Sequence, residues 1–269
     1  MKFKTLFIGF IMGIIASSAV SAQSKSMPTI MEQNVTYRSG DVRMVGFVAY
    51  DSKFKGKRPV ILIVHEWWGL NDYVKMRARK LAELGYLAMA VDMFGEGKVA
   101  KNPDEAKAYT GVFYSDPTLS RARFQAALDK IKEFDECDVH NIAAIGYCFG
   151  GSVVLNSAKL GVDLKAVVSF HGGLAGVPAD KKLLKAKILV CHGGADKFIS
   201  ENDISTFKHQ LDSIGADYSF KVYPNATHAF TNPESDENAR KFGMPIAYNP
   251  EGDKASWEDM KAFFAKVLK

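Results

Sequence analysis

Residues 146–151 (GYCFGG) place a single cysteine, Cys148, between glycines at the end of an apolar run. The form G-x-C-x-G between a predicted strand and a predicted helix is typical of a nucleophile elbow, a tight turn that exposes the reactive atom. Gly146 and Gly150 remove side chains that would collide with neighbouring elements, and the N-terminus of the following helix favours a thiolate. The pattern predicts a nucleophilic Cys148. The alternative is a glycine-rich turn around a buried structural cysteine.

A nucleophilic thiol needs a base to take its proton and an acid to orient that base, and the sequence offers one of each. Asp196 follows the predicted strand 187–191, and His228 follows the last predicted strand. An isolated loop aspartate is usually a helix cap, and an isolated loop histidine is usually a surface residue. Because both stand at strand ends in the order nucleophile, acid, base, the sequence predicts a catalytic triad of Cys148, Asp196 and His228.

Residues 64–69 (VHEWWG) end another apolar strand and occupy the place that supplies a backbone N–H to an oxyanion hole in this kind of site. We assign that donor to Trp67. The residue after the nucleophile, Phe149, supplies the second donor.

The elements that must position these residues follow from the hydrophobic pattern. Apolar and β-branched runs predict strands at 43–50, 58–64, 86–91, 142–146, 165–170, 187–191 and 217–223. Amphipathic segments predict helices at 72–84, 117–134, 150–160, 201–213 and 255–268. The alternation predicts an α/β fold with a mostly parallel sheet covered by helices on both faces. Turn chemistry at 39–41 predicts an antiparallel edge hairpin within 34–50.

The N-terminus predicts a secretory signal peptide over residues 1–22. Lys2 and Lys4 precede an apolar run over 6–16, and small residues around Ala22 suit cleavage before Gln23. An uncleaved membrane anchor is the alternative. The mature protein, residues 23–269, is expected in the periplasm or outside the cell as one α/β domain, without a membrane segment.

Charge and composition narrow the class of partner. Loss of Lys2 and Lys4 with the leader lowers the formal charge from +5 to +3, and acidic and basic residues are mixed along the chain. Nothing in that pattern predicts nucleic acid or an anionic membrane as partner, so a small molecule is expected.

The sequence has three cysteines and six histidines, residue types that also serve disulfide, redox and metal chemistry. The odd number of cysteines argues against a disulfide framework, and the absence of C-x-x-C argues against a thiol redox protein. The histidines show no spacing typical of metal ligands, so we predict no metal and no cofactor. A catalytically silent ligand-binding protein remains the alternative to an enzyme.

Four segments, residues 65–69, 146–151, 193–196 and 227–230, resemble the motifs of dienelactone hydrolases. The similarity extends from about Val35 to the C-terminus. It implies an α/β-hydrolase fold, a Cys-His-Asp triad, no cofactor and hydrolysis of a small ester or lactone. The resemblance also implies a role for Glu66, because the matching glutamate in the family contacts the resting nucleophile and helps to generate the thiolate.

One departure from the family bears on the substrate. Dienelactone hydrolases hold a substrate carboxylate with two arginines, and the matching positions here are Glu96 and Asn232. A carboxylate there would lose its cations and meet a like charge, so a neutral substrate is expected. Aromatic residues near the motifs suggest an apolar pocket, with ordinary core packing as the alternative for each; these are Trp67, Trp68, Phe94, Phe149 and Phe230. The physiological substrate and the oligomeric state stay open.

Overall fold

The computed structural model describes residues 27–269, together with residues 1 and 3. Apart from those two residues, the predicted signal peptide and its cleavage site after Ala22 lie outside the described residues. Within the described part of the chain, no helix is both long and apolar enough to cross a bilayer.

One eight-stranded sheet forms the centre of the protein, and its strands lie in the order β1-β2-β4-β3-β5-β6-β7-β8. The strands are β1 (Ile30–Ser39), β2 (Val42–Asp51), β3 (Arg58–Val64), β4 (Leu87–Val91), β5 (Cys137–Tyr147), β6 (Ala166–Phe170), β7 (Lys187–Gly193) and β8 (Tyr218–Tyr223). The pairs β1–β2 and β2–β4 are antiparallel, and the remaining pairs are parallel. The predicted edge hairpin is therefore confirmed, and it begins four residues earlier than predicted.

The central strands are apolar on both faces because helices cover both sides of the sheet. Every residue of β4 and β6 is buried, and β3 is buried at all but one position. Continuous rather than alternating apolar runs are expected of parallel strands that lie between two helical layers. The fold is that of the α/β-hydrolases.

In residues 27–269, seven helices flank the sheet. They are α1 (Asp72–Glu83), α2 (Pro103–Ser115), α3 (Pro117–Ile131), α4 (Phe149–Lys159), α5 (Glu201–Ile214), α6 (Ser235–Phe242) and α7 (Pro250–Val267). Side chains cap several N-termini, and Ser200 forms a reciprocal capping box with Asp203 at α5. Helix α7 begins five residues before the predicted start, because Asn249 caps it and Pro250 suits its first turn.

Two helices, α2 and α6, were not predicted from the sequence. Helix α6 (SDENARKF) has one buried residue, and α2 buries only Ala106, Thr110 and Phe113. A helix with so narrow a buried face gives little apolar periodicity, so the pattern did not reveal either one. Both helices contribute residues to the cavity described next.

Candidate active site

Cys148 stands at the turn between β5 and α4, in a backbone conformation that non-glycine residues rarely adopt, with φ of 52° and ψ of −115°. The flanking glycines make this turn possible. A Cβ on Gly146 would overlap the carbonyl of Gly150, and a Cβ on Gly150 would overlap the end of β3 at Val64. The predicted elbow is therefore present as a strained strand-to-helix turn packed tightly against β3.

The ends of β5, β7 and β8 bring the three predicted triad residues together. The Nε2 atom of His228 lies 3.0 Å from the sulfur of Cys148, and Nδ1 lies 2.8 Å from Oδ2 of Asp196. The second carboxylate oxygen of Asp196 accepts the backbone N–H of Phe198 at 2.8 Å. A carboxylate that accepts from Nδ1–H leaves Nε2 to face the sulfur, the tautomer that proton exchange with a thiol requires.

The electrostatics of His228 follow from these two contacts. Burial lowers the pKa of His228, but the facing sulfur of Cys148 and the carboxylate of Asp196 outweigh burial and raise it to about 10. The side chain of Asp196 is fully buried, so its charge is poorly screened by water. At neutral pH the arrangement favours an imidazolium on His228 beside the sulfur of Cys148.

Neither of the two predicted oxyanion donors is hydrogen-bonded to another described residue. In residues 27–269, the backbone N–H groups of Trp67 and Phe149 have no hydrogen-bond acceptor. The backbone carbonyl of Glu66, next to Trp67, has partners on both sides in the chain. It accepts the N–H of Gly69 at 3.2 Å and lies 2.5 Å from Nδ1 of His65. Two unpaired N–H groups, one beside the nucleophile and one on the neighbouring strand end, are what a developing oxyanion needs.

Glu66 lies at the cavity wall but contacts a different partner from the one that the resemblance implies. Its Oε2 accepts the side-chain amide of Asn232 at 2.6 Å, and its Oε1 has no partner among the described residues. Its carboxyl is not hydrogen-bonded to Cys148, whose sulfur contacts His228. Burial, opposed in part by Asn232 and His228, raises the pKa of Glu66 to about 7. This carboxyl can therefore exchange a proton near neutral pH.

A cavity of about 490 Å³ opens above the sulfur of Cys148. Its polar lining includes Cys148, His228, Glu66 and Asn232. Most of the remaining wall is apolar and includes Trp67, Trp68, Phe198, Ile199, Ala229, Phe242, Met244, Pro245 and Ile246. The volume and lining are those of a small-molecule site.

Three predicted pocket residues are not in that wall. Phe94 packs in the core against His65 and Phe149, with ring centroids 4.7 and 5.9 Å away. Phe230 is fully buried and packs against Tyr223. Glu96 is half exposed and forms an ion pair with Arg43 at 3.1 Å. The prediction for Glu96 was wrong because its turn directs the carboxylate to β2 rather than to the nucleophile, whereas the predicted Trp68 and Asn232 do line the cavity.

The sequence interpretation missed the part of the wall that comes from outside the sheet. Helix α2 contributes Lys107 and Tyr114, and the end of α6 contributes Phe242. Among the described residues, Lys107 is the one lysine or arginine in the wall. None of these residues stands at a strand end or in a motif, so only the packing of α2 and α6 around Trp68 brings them to the site.

The described residues also bear on metal binding and on disulfide formation. They contain no group of three histidine, cysteine or acidic side chains placed to hold a metal ion. Cys137, Cys148 and Cys191 are all unpaired.

Comparison with known proteins shows which family the chain resembles. A model of the dienelactone hydrolase family matches residues 44–268. Protein usf of Aquifex pyrophilus is 29% identical over 243 residues, which cover 88% of this chain and 100% of that protein. A putative carboxymethylenebutenolidase of Aquifex aeolicus is 28% identical over 244 residues, covering 89% and 100%. Among solved structures, a dienelactone hydrolase-like promiscuous phosphotriesterase from metagenomic libraries has a TM-score of 0.85 at 33% identity, covering 89% of this chain and 99% of that one.

Proposed function

The chain belongs to the dienelactone hydrolase family and is a hydrolase of esters or lactones, and we propose that it is an exported enzyme that cleaves a small neutral substrate through an acyl-thioester on Cys148. The observation that carries the proposal is the contact of the Cys148 sulfur with His228, which Asp196 orients. The unpaired N–H groups of Trp67 and Phe149 and the cavity above the sulfur support it.

In the acylation half of the reaction, the Cys148 thiolate attacks the carbonyl carbon of the bound ester. The negative charge that develops on the carbonyl oxygen is stabilised by the N–H groups of Trp67 and Phe149. Collapse of the tetrahedral intermediate breaks the bond to the leaving oxygen, which takes the proton from Nε2 of His228. The products of this half are a thioester on Cys148 and an alcohol, or the opened chain of a lactone.

In the deacylation half, the now neutral His228 accepts a proton from a water molecule that attacks the thioester carbonyl. The same two N–H groups stabilise the second oxyanion, and collapse releases the carboxylic acid and restores the thiolate and imidazolium. Asp196 stays ionised and holds the His228 ring in place throughout. An ester suits this chemistry better than an amide, because an alkoxide leaves more readily than an amide anion, so the nitrogen of an amide must be protonated before it can leave.

Glu66 is proposed to assist acylation in molecules whose Cys148 is still a thiol when substrate arrives, by accepting the thiol proton so that the attacking thiolate forms beside the imidazolium of His228. A pKa of about 7 and the unpartnered Oε1 support this role, although Oε2 is held by Asn232 in this structure. Stopped-flow measurement of the acylation burst tests it: Glu66→Gln should acylate more slowly with unchanged substrate binding. An unchanged burst rate would leave Glu66 only a structural role.

The proposed preference for a neutral substrate rests on the cavity rather than on Glu96. The wall is mainly apolar, Asn232 stands where the family has a cation, and the acidic Glu66 lies beside the nucleophile. Above pH 7 that carboxyl is charged and repels a substrate carboxylate placed near it. Among the described wall residues, Lys107 and the imidazolium of His228 are the two cations that would favour an anion.

Export is proposed from the N-terminal sequence alone. Expression of the full chain followed by cell fractionation and N-terminal sequencing tests it. Protein recovered outside the cytoplasm and beginning at Gln23 is expected. Full-length protein retained in the cytoplasm or the inner membrane would contradict the proposal.

The cysteine mechanism is tested with a chromogenic short-chain acyl ester. Wild-type turnover should stop on alkylation of Cys148, and Cys148→Ala should be inactive with an unchanged circular dichroism spectrum. Cys137→Ala removes a buried cysteine away from the cavity, so its turnover should remain sensitive to alkylation. Mass spectrometry of enzyme quenched during turnover should find the acyl group on Cys148. Turnover by Cys148→Ala would overturn the mechanism, and tight ligand binding without turnover by the wild type would favour a silent binding protein.

A panel of substrates then narrows the physiological class. It should contain neutral esters and lactones, their carboxylated analogues and a neutral phosphotriester, because a 33% identical solved relative is described as a promiscuous phosphotriesterase. The highest kcat/KM is expected for a neutral ester or lactone.

A further inference from the structure

A buried histidine outside the triad contacts both the nucleophile turn and the loop of the base. His171 follows β6 directly, and its Nδ1 accepts the backbone N–H of Cys148 at 3.1 Å. Its Nε2 lies 2.7 Å from the hydroxyl of Thr231, three residues after His228 in the same loop. One imidazole ring therefore joins two loops that carry neighbouring members of the triad.

The two contacts define the state of the His171 ring. Because a backbone N–H can only donate, Nδ1 must be unprotonated, and the single ring proton lies on Nε2 and is donated to Thr231. Burial, with the nearby charges of His228 and Arg77, lowers the pKa of His171 well below its ordinary value. A protonated ring would lose the acceptor for Cys148 and place a second cation beside His228.

The backbone on both sides of this contact is strained. Cys148 and His171 both have positive φ, 52° and 41°, and such conformations persist only where the surroundings enforce them. The Cys148 N–H is shared between Nδ1 of His171 and the carbonyl of Phe170, which lies 3.0 Å away. The ring of His171 also packs edge-to-face on the ring of His228, with centroids 5.5 Å apart.

Thr231 is in turn held by the helical layer. Its hydroxyl lies 2.7 Å from the hydroxyl of Tyr73, and its carbonyl accepts the guanidinium of Arg77 at 2.6 Å. Arg77 forms a buried ion pair with Asp253 of α7. Thr231, the residue that His171 contacts, is thus fixed to α1 and α7 and is not part of a free surface loop.

We propose that His171 is a positioning residue, which through Thr231 sets the separation of the Cys148 sulfur and His228. The inference rests on the proposed roles of Cys148 and His228 and adds a residue that never touches the substrate. Loss of either hydrogen bond would let the elbow and the His228 loop shift independently. Proton exchange between sulfur and imidazole depends on their separation, so such a shift should slow the chemical step.

Variants that separate the two ring nitrogens test the proposal. His171→Asn keeps an acceptor near Nδ1 and removes the contact with Thr231, whereas His171→Gln keeps the distal contact and removes the acceptor. Thr231→Val removes the hydroxyl at nearly constant shape, and Thr231→Ser retains it. The expected result is a loss in kcat of about tenfold, the scale of one hydrogen bond, for the first three, with KM within about twofold. Thr231→Ser should restore most of the wild-type kcat.

A second measurement reads the position of the sulfur without turnover. Two readouts are used at pH 7: the rate at which neutral iodoacetamide alkylates Cys148, and the ultraviolet absorbance of the Cys148 thiolate. Both should fall about tenfold in Thr231→Val and His171→Asn, because the thiolate is less well paired with His228. A purely structural role would lower thermal stability and leave both kcat and alkylation of the folded variants unchanged. That result in Thr231→Val would overturn the proposal, even if the His171 variants fail to fold. Failure of the proposed function is distinct, since wild-type turnover would then survive alkylation.

Discussion

Two buried acidic groups lie beside the same cavity, and they are stabilised in opposite ways. The carboxylate of Asp196 has His228 as a partner at 2.8 Å, and that histidine also faces the sulfur of Cys148. The carboxyl of Glu66 has only the neutral amide of Asn232, and one of its oxygens is unpartnered within the described residues. We call Asp196 with His228 and Cys148 the charged chain, because the imidazolium of His228 faces a carboxylate, and we call Glu66 the lone acid, because only one of its carboxyl oxygens has a side-chain partner among the described residues.

The difference shows that burial alone does not set the state of a charged group. Burial disfavours the charged form of both His228 and Glu66. Counter-charges reverse that effect at His228, so its pKa rises to about 10 and it stays charged. Among the described residues no cation is hydrogen-bonded to Glu66, and the charges of His228 and Arg77 only partly offset burial, so its pKa of about 7 leaves it between the neutral and the charged form at neutral pH. His228 is therefore charged before the reaction begins, whereas Glu66 is able to exchange a proton near neutral pH.

The strongest way to break the charged chain is His228→Ala. We expect kcat/KM to fall by about a thousandfold or more, because both proton transfers lose their acid and base. Initial rates on the chromogenic ester measure the change. The exposed His209→Ala is the matched control and should keep wild-type rates. A loss of less than tenfold in His228→Ala would exclude His228 as the base.

The lone acid should respond to removal of its charge in the opposite direction. Glu66 ionises near pH 4.5 when unfolded and near pH 7 when folded. Its charge therefore does not destabilise the folded protein below pH 4.5, and destabilises it fully above pH 7. Glu66→Gln should therefore raise the free energy of unfolding by up to about 3 kcal/mol at pH 8 and change it little at pH 4.5. Urea unfolding at both pH values measures this, with the exposed Glu83→Gln as control. A stabilisation that does not depend on pH would contradict the electrostatic cause.

Removal of the single partner of Glu66 should give a smaller effect with its own pH dependence. Asn232→Ala is expected to cost about 2 kcal/mol of unfolding free energy at pH 8, where the hydrogen bond is to a charged group, and about 1 kcal/mol at pH 5. Equilibrium unfolding measures both values. The difference between them should vanish in the Glu66→Gln background. An equal cost at both pH values in the wild-type background would mean that Asn232 stabilises the protein by another contact.

The smallest expected effect concerns Glu96, which lies outside both regions. A neutral ester should exceed its carboxylated analogue by about tenfold in kcat/KM, and Glu96→Arg should leave that ratio unchanged because the side chain pairs with Arg43. Loss of this exposed pair should cost less than about 1 kcal/mol of stability. Paired kinetics on the two substrates measure the ratio. A carboxylated substrate that is hydrolysed as well as the neutral one would implicate Lys107, and Lys107→Ala would then reduce its rate selectively.

Much of the fold could be predicted because the decisive signals are local. All seven predicted strands and all five predicted helices are present, since buried parallel strands and amphipathic helices leave a repeating apolar pattern. The two helices that were missed, α2 and α6, bury few residues and leave no such pattern. They complete the cavity, so its volume and lining could not be derived from the motifs alone.

The sequence by itself determined where the reactive residues stand in the fold. Glycines around Cys148 permit the tight turn there, and Asp196 and His228 follow strands that end at the same edge of the sheet. Parallel strands bring their carboxyl ends together, whatever the surrounding side chains are. Tertiary structure alone decided which partner each side chain has. Asn232 meets Glu66 across 166 positions of sequence, and Glu96 turns to Arg43 across 53. Contacts at such separations depend on loop paths and on competition between partners, and neither is recorded in a local pattern.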